Sequence, residues 1–414
     1  MQPQKSFFLK AAPLLLVLFI DGMGLSLVVP VLNALMFDPN SSFFAGTHIS
    51  AGMHNFIYGA IISSFMLCWF FGAAWLGDLS DSLGRKKCLI ICLAGASVSY
   101  LISAVAVICS SVTLLIIGRV IAGLTAGSQP IAQAAIIDIS DEQHKARNIG
   151  YILLSISLGF ILGPLFGGFL SDNRIVSWFD FSTPFYFAAL ISFLNIILLC
   201  WTFKESAVIK THKISLNFYK AIEIFISAFK HPDIGRLSII FFIFIFGWSS
   251  FYSFISVFLI KVYAFSPLQI SLFMAVMGFG FGTGTGVLVP FLTKRFALMP
   301  IFNVVTILSA LFSVMMVVIQ HAWVSWIFVA PLACCIAIGY SVILTIFSNK
   351  VSADKQGWVM GITGSIMALD WAINGVLVGV VAAWSATLPI WIAAIALVMV
   401  LVCYYFLYTR RAER

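Results

Sequence analysis

Charge is what this sequence has least of. Aspartate, glutamate, lysine and arginine make up only 9% of its 414 residues, against 62% hydrophobic. A soluble domain carries roughly 25% charged residues, so a water-soluble globular protein is excluded. Cysteines at pairing or metal-ligand spacing are lacking too. The eight present (Cys68, Cys88, Cys92, Cys109, Cys200, Cys334, Cys335 and Cys403) lie in or beside apolar runs. They read as small buried hydrophobes rather than a disulfide scaffold or a zinc site. There is no nucleophile elbow, metal cluster or phosphate loop, so nothing points to an enzyme or to a cofactor. The net charge is +8, but the cations sit in short loops beside apolar spans, which argues against a nucleic-acid partner. Lys5 and Lys10 precede an apolar run as in a signal peptide. That run extends to about Met36 without a small-residue cleavage site, so it reads as a first membrane helix.

Apolar stretches long enough to cross a bilayer lie near residues 11–36, 52–76, 88–109, 112–137, 149–170 and 183–203. Six more lie near 237–260, 268–292, 298–320, 322–347, 357–382 and 386–408. The chain therefore reads as an all-α membrane protein with twelve transmembrane helices. With both termini cytoplasmic, 20 of the 23 lysines and arginines fall on that side, the exceptions being Arg174, Lys261 and the intramembrane Arg119. That asymmetry fixes the orientation. One long hydrophilic stretch, about 204–236, interrupts the pattern. In it Phe218, Ile222, Phe225, Ile226 and Phe229 recur at helical spacing, which predicts an amphipathic helix on the inner leaflet with lysines toward the headgroups. The expected organisation is a six-helix bundle over 1–203, a linker over 204–236 and a second bundle over 237–414.

Polar groups inside the spans carry the chemistry. Asp21 lies about halfway down the first span, where a bare carboxylate costs at least a few kcal/mol and must be paired, wet or protonated. Such a group can take and release a proton as its access alternates. Arg119, in the fourth span, stays charged at any depth and needs an internal acceptor or a water cavity. Gln129 and Gln133 follow it, either lining a substrate cavity or joining helices, and Pro130 loosens the span locally. Asp370, in the eleventh span, has no obvious cationic partner, which suggests a cationic substrate or a second proton site, and Asn374 beside it is expected to line the substrate cavity. Trp248 and Tyr252 offer either an aromatic wall for cation–π contact or ordinary packing. His48 and His54 are expected in the loop between the first two spans. The segment from Gly77 through Asp81, Gly84, Arg85 and Lys86 to Lys87 reads as a charged turn, with Gly77 and Gly84 allowing a tight reversal.

That turn resembles the G-x-L-a-D-r-x-G-r-k loop of the major facilitator superfamily, with Ser82 in place of the usual arginine. The Asp21 segment resembles the first helix of tetracycline-type drug:proton antiporters, and Asn33 departs from its closing proline. Leu115 to Gly127, around Arg119, resembles the fourth-helix motif that the family associates with proton coupling. Gly159, Gly163, Pro164, Gly167 and Gly168 resemble its G-x-x-x-G-P-x-x-G-G antiporter motif. Ala96-Ser-Val98-Ser99-Tyr100 lacks the acid that tetracycline pumps carry before the tyrosine. A decayed copy of the loop motif, Gly286 to Arg295, is expected in the loop after the eighth span.

The resemblance implies a major facilitator fold of two six-helix pseudo-repeat bundles. It also implies an Arg85–Asp138 ion pair, with Asp81 facing the start of the eleventh helix, as a latch that breaks during inward opening. The expected function is secondary active transport by alternating access, in the form of proton-driven export of a small amphiphilic compound across a bacterial inner membrane. The expected partners are the substrate, protons and membrane lipids, with the chain acting as a monomer. Proton-coupled uptake of a nutrient or metallophore, and a membrane sensor without turnover, stand as alternatives.

Overall fold

The computed structural model describes residues 2–37, 41, 43–44, 50–140, 145–205, 219–319, 321–352 and 355–409, and among them finds helices and no strand. The first helices are α1 (Gln2–Phe37), α2 (Ala51–Leu83), α3 (Arg85–Ile108), α4 (Val112–Leu124), α5 (Ser128–Asp138), α6 (Lys145–Ser171) and α7 (Thr183–Thr202). There follow α8 (Tyr219–Ala228), α9 (Pro232–Tyr263), α10 (Pro267–Thr283), a π-helical turn (Gly284–Leu288) and α11 (Val289–Thr293). The last are α12 (Leu298–Val318), α13 (Ala322–Asn349), α14 (Gln356–Ala382) and α15 (Leu388–Tyr404). Among the described residues, twelve helical stretches are long and apolar enough to cross a membrane. In hydrocarbon the backbone must satisfy its own hydrogen bonds, and helices of this length do so.

Local chemistry sets the breaks. The fourth span, expected as one helix, is two. Thr125 Oγ1 bonds back to the Ile121 carbonyl at 2.8 Å, α4 stops, and α5 begins at Ser128 with Pro130 in its first turn, where a missing N–H costs nothing. At the α2–α3 junction the reversal takes a single residue. Gly84 has φ 94°, a conformation that side chains disfavour. Gly77, expected to share in the turn, is instead inside α2, which continues to Leu83. The decayed second copy is likewise helical rather than a loop: Gly286 lies in the π-helical turn and Pro290 near the start of α11. His54 also falls in α2 rather than in the loop before it. His48 lies outside the described residues.

The chain divides into two compact units, Met1–Thr47 with Ser64–Phe218, and His48–Ser63 with Tyr219–Arg414. The expected boundaries shift at two places. The amphipathic helix, found as α8, belongs to the second unit, where Trp358 Nε1 donates to Ser227 Oγ at 2.8 Å. Phe218, counted in that helix from its spacing, lies outside the described residues. The opening turns of α2 also belong to the second unit, because they run antiparallel to α14: Gly52 meets Ala383, Asn55 meets Gly379, and Gly59 meets Gly375.

In the first unit the central seam joins α1 to α6. A Cβ on Gly22 would lie 2.7 Å from the Ile156 carbonyl, and one on Gly163 would lie 2.8 Å from the Met23 carbonyl. Small residues let membrane helices approach this closely, so the glycines of the antiporter-like motif are the surface on which α1 rests. Ser26 Oγ fastens the seam by donating to the Gly159 carbonyl at 3.1 Å. The second unit has a broader aromatic core: Phe241, Phe244, Phe251, Phe254 and Phe258 of α9 are at most 1% exposed.

Candidate functional site

The first unit gathers its polar groups where α1 meets the break between α4 and α5. Ser128 Oγ, at the first position of α5, donates to Asp21 Oδ1 at 2.8 Å. The other oxygen, Oδ2, is buried without a hydrogen-bond partner. Asp21 thus has one oxygen held and one open, the arrangement of a carboxyl that can accept a proton. Arg119 is 6% exposed. Its guanidinium lies over the Phe65 ring at 5.4 Å, within cation–π range, and its Nε has no hydrogen-bond partner. Tyr100 lies within electrostatic reach of both Asp21 and Arg119. Its hydroxyl occupies the space that a Cβ on Gly24 would fill. Ser99, expected from the resemblance to replace an acid, turns back to the Ala96 carbonyl at 2.7 Å. Gln129 and Gln133 are half-buried on α5.

The α2–α3 junction is tied down from three sides. Arg85 Nε lies 3.6 Å from Asp138 Oδ2 at the end of α5, and Arg85 Nη1 donates to the buried Ser80 Oγ at 2.9 Å. Lys86 Nζ donates to the Cys200 carbonyl near the end of α7 at 2.8 Å. Glu205, just beyond α7, accepts from the Arg85 and Lys86 backbone N–H groups at 2.8 and 3.0 Å, so it caps α3 and favours its positive end. A Cβ on Gly84 would strike that carboxylate. Asp81 sits in the last turn of α2; its side chain lies outside the described residues.

The second unit holds its own buried acid. Asp370 is fully buried on α14. Ser249 Oγ of α9 donates to its Oδ2 at 2.8 Å, and Oδ1 has no partner. One turn on, Asn374 Nδ2 donates to Ser250 Oγ at 2.6 Å and to the Phe246 carbonyl at 3.3 Å. Asn374 is therefore sealed in the α9–α14 seam, not on an open cavity wall as expected. Tyr252 is also buried, its ring 5.5 Å from those of both Trp248 and Trp371. Trp248 is half-buried and stacks on Phe281 at 6.3 Å.

Sequence reasoning missed Ser128, Ser249 and Glu205. Serine in a membrane helix is too common to single out. Glu205 follows the last apolar residues of the sixth span, where an acid looks like ordinary solvated linker.

Residues 14–375 match the model of the Major Facilitator Superfamily. The class C tetracycline resistance protein of Escherichia coli is 27% identical over 384 residues, covering 90% of this chain and 89% of that one. The quinolone resistance protein NorA of Staphylococcus aureus (strain MRSA252) is 26% identical over 385 residues, covering 91% and 90%. Among solved structures, the xylose transporter XylE of E. coli superposes with a TM-score of 0.74 over 97% of this chain and 99% of that one, at 16% identity.

Proposed function

Since this chain belongs to the major facilitator superfamily, and is thereby a membrane transporter rather than an enzyme, we propose that it exports a small amphiphilic compound in exchange for protons. The observation that carries this reading is the Asp21 carboxyl, held by Ser128 through one oxygen and open at the other. It sits on a helix whose neighbour α6 carries the antiporter-type glycines. Tetracycline and quinolone resistance relatives at full-length coverage support the same class of substrate.

In the cycle, Asp21 takes a proton from the outer side and loses its charge. That weakens the hold on a cationic or dipolar substrate, which leaves. After the protein turns inward the proton departs, and the ionised carboxylate again favours substrate. Arg119 supplies a fixed positive charge near Tyr100, which is itself within reach of Asp21. Gln129 and Gln133 in the first unit, and Trp248 in the second, are the side chains assigned to substrate contact. Asp81, Gly84, Arg85, Lys86 and Asp138 form the latch, with Glu205 added to it as the cap of α3. The membrane is a bacterial inner membrane, with both termini on its cytoplasmic side.

The test uses inside-out vesicles with an acid interior and a pH-sensitive dye. Tetracycline, a quinolone and tetraphenylphosphonium are added in turn. Export predicts proton leakage triggered by at least one of them and absent in Asp21→Asn. If only a nutrient or metallophore evokes proton movement, and in the symport sense, the export reading fails.

A further inference from the structure

The second unit buries a set of unpaired polar atoms that its topology brings to one seam. Asp370 Oδ1, Asn374 Oδ1, Ser256 Oγ and both amide atoms of Asn55 have no hydrogen-bond partner. All four residues are fully buried. Each unpaired buried polar group costs about 1–3 kcal/mol, so five together call for a common explanation.

Their register supplies one. The opening turns of α2 run antiparallel to α14, with Ser63 Oγ donating to the Ala372 carbonyl at 2.6 Å and the Asn55 carbonyl 2.9 Å from where a Gly379 Cβ would stand. Asn55 therefore lies about nine residues along α14 from Asp370, or roughly 14 Å at the helical rise. Helix α9 bridges the interval. Its Ser249 meets Asp370, its Ser250 meets Asn374, and its Ser253 carbonyl accepts from Tyr58 Oη at 2.7 Å. Ser256 follows one turn further. The unpaired atoms thus lie in order along one seam of three helices, from the middle of α14 to the end of the unit where α2 begins. Waters bound in such a seam would satisfy them all, since a buried water typically bridges two to four polar groups.

We propose that this seam is a water-filled access path through which Asp370 binds and releases a proton, making it a second proton site that communicates with the α2-start end of its unit. The reading deepens the proton-coupled function above. Among the described residues no charged side chain is paired with the carboxyl, and Ser249 is its hydrogen-bond partner. The titratable groups on the elements around it include the phenols of Tyr58, bonded to the Ser253 carbonyl, of Tyr252, against Trp371, of Tyr340, whose hydroxyl meets Met367 Sδ at 3.8 Å, and of Tyr263 at the end of α9, and the thiols of Cys334 and Cys335 on α13. His54 and Lys261, which act on one another, stand at the far mouth. The charges of α8 (Glu223), of the turn after it (Lys230), of the start of α9 (Asp233 and Arg236), of the end of α13 (Lys350) and of the start of α14 (Lys355) lie toward the opposite end.

The test is infrared spectroscopy on the full chain in lipid, following the carbonyl stretch of a protonated carboxyl through a pH titration and after transfer to D2O. The expected result is a band that titrates, disappears in Asp370→Asn and moves in Asp370→Glu. Its deuterium exchange should slow by roughly tenfold in Asn55→Leu and in Ser256→Val. Three results would overturn the proposal: no band dependent on Asp370, exchange unaffected by both seam variants, or loss of the band on adding sodium at constant pH, which would make the site one for a metal cation. The vesicle assay is read separately. Drug-driven proton movement without an Asp370 band sinks this inference alone, and an Asp370 band without drug-driven movement sinks the export reading alone.

Discussion

The two units solve one problem with different means. Each buries a carboxyl, each holds one carboxyl oxygen with a serine hydroxyl at 2.8 Å, and each leaves the other oxygen without a partner. The acids are not copies of one another. Asp21 lies on the opening helix of its unit and meets a serine at a helix break, whereas Asp370 lies on α14 and meets a serine in mid-helix. The first unit also buries Arg119, which like Asp21 lies within electrostatic reach of Tyr100; among the described residues the second has no cation paired with its acid, which depends on polar seam groups. A carboxyl whose cluster also holds a fixed positive charge ionises more readily than one among neutral groups, which must be hydrated to do so. The difference teaches why coupling is assigned to Asp21 and the hydrated path to Asp370.

The most severe break in this comparison would come from the seams. On Gly163 a Cβ already overlaps Ser26 Oγ, and on Gly59 it overlaps the Gly375 carbonyl. Gly163→Leu and Gly59→Leu should each cost about 3 kcal/mol or more, seen as aggregation or a collapsed melting temperature in size-exclusion assays of detergent extracts. Gly286→Leu, with nothing within 4 Å of its Cβ, should leave the melt nearly unchanged. Equal losses at all three positions would remove the packing argument.

A sharper comparison comes from the paired serines. Ser128→Ala and Ser249→Ala each remove one hydrogen bond, about 0.5–1.5 kcal/mol. Ser128→Ala should slow drug-driven proton flux by about two- to tenfold, because it touches the coupling acid. Ser249→Ala should change flux less and alter the Asp370 infrared band instead. The reverse pattern would exchange the roles of the two acids.

The junction comes next. Glu205→Ala deprives α3 of its cap, which should cost about 1 kcal/mol in thermal unfolding and speed the drug-driven flux if the cap belongs to the latch. Unfolding that stays at the wild-type temperature would contradict the cap.

Smallest is an effect of pH at the loop after α6. Arg174 hydrogen-bonds Asp172 through its side chain at 3.0 Å and its backbone N–H at 2.9 Å, holding the Asp172 carboxyl below the usual carboxylate range. A lowered folded pKa stabilises above the ordinary value, and that contribution is lost as pH falls through the folded one. Arg174 is exposed, so less than about 1 kcal/mol is at stake. Asp172→Asn should melt slightly below wild type at neutral pH and converge with it in acid. A gap that persists in acid would refute the assignment.

What could be read from the chain alone follows from the solvent it folds in. The spans were legible because in hydrocarbon length and apolarity suffice, and the positions of Asp21, Arg119 and Asp370 stood out because charge there is costly. Boundaries set by backbone detail were not. Gly77 and Gly84 look alike in sequence, yet only Gly84 leaves the helix, because helix hydrogen bonding carries α2 through Gly77. The split in the fourth span was hidden because Pro130 marks a start of α5 rather than a kink. The division through α2 depends on contacts between residues more than 300 positions apart, such as Ser63 with Ala372, which no local pattern announces.

The central claim is that Asp21 carries the coupling proton. Its most direct measurement is proton release from the purified chain in unbuffered solution when tetracycline or tetraphenylphosphonium is added, compared among wild type, Asp21→Asn and Asp370→Asn. The account predicts release from wild type and Asp370→Asn and none from Asp21→Asn. Release that persists in Asp21→Asn and vanishes in Asp370→Asn would contradict it.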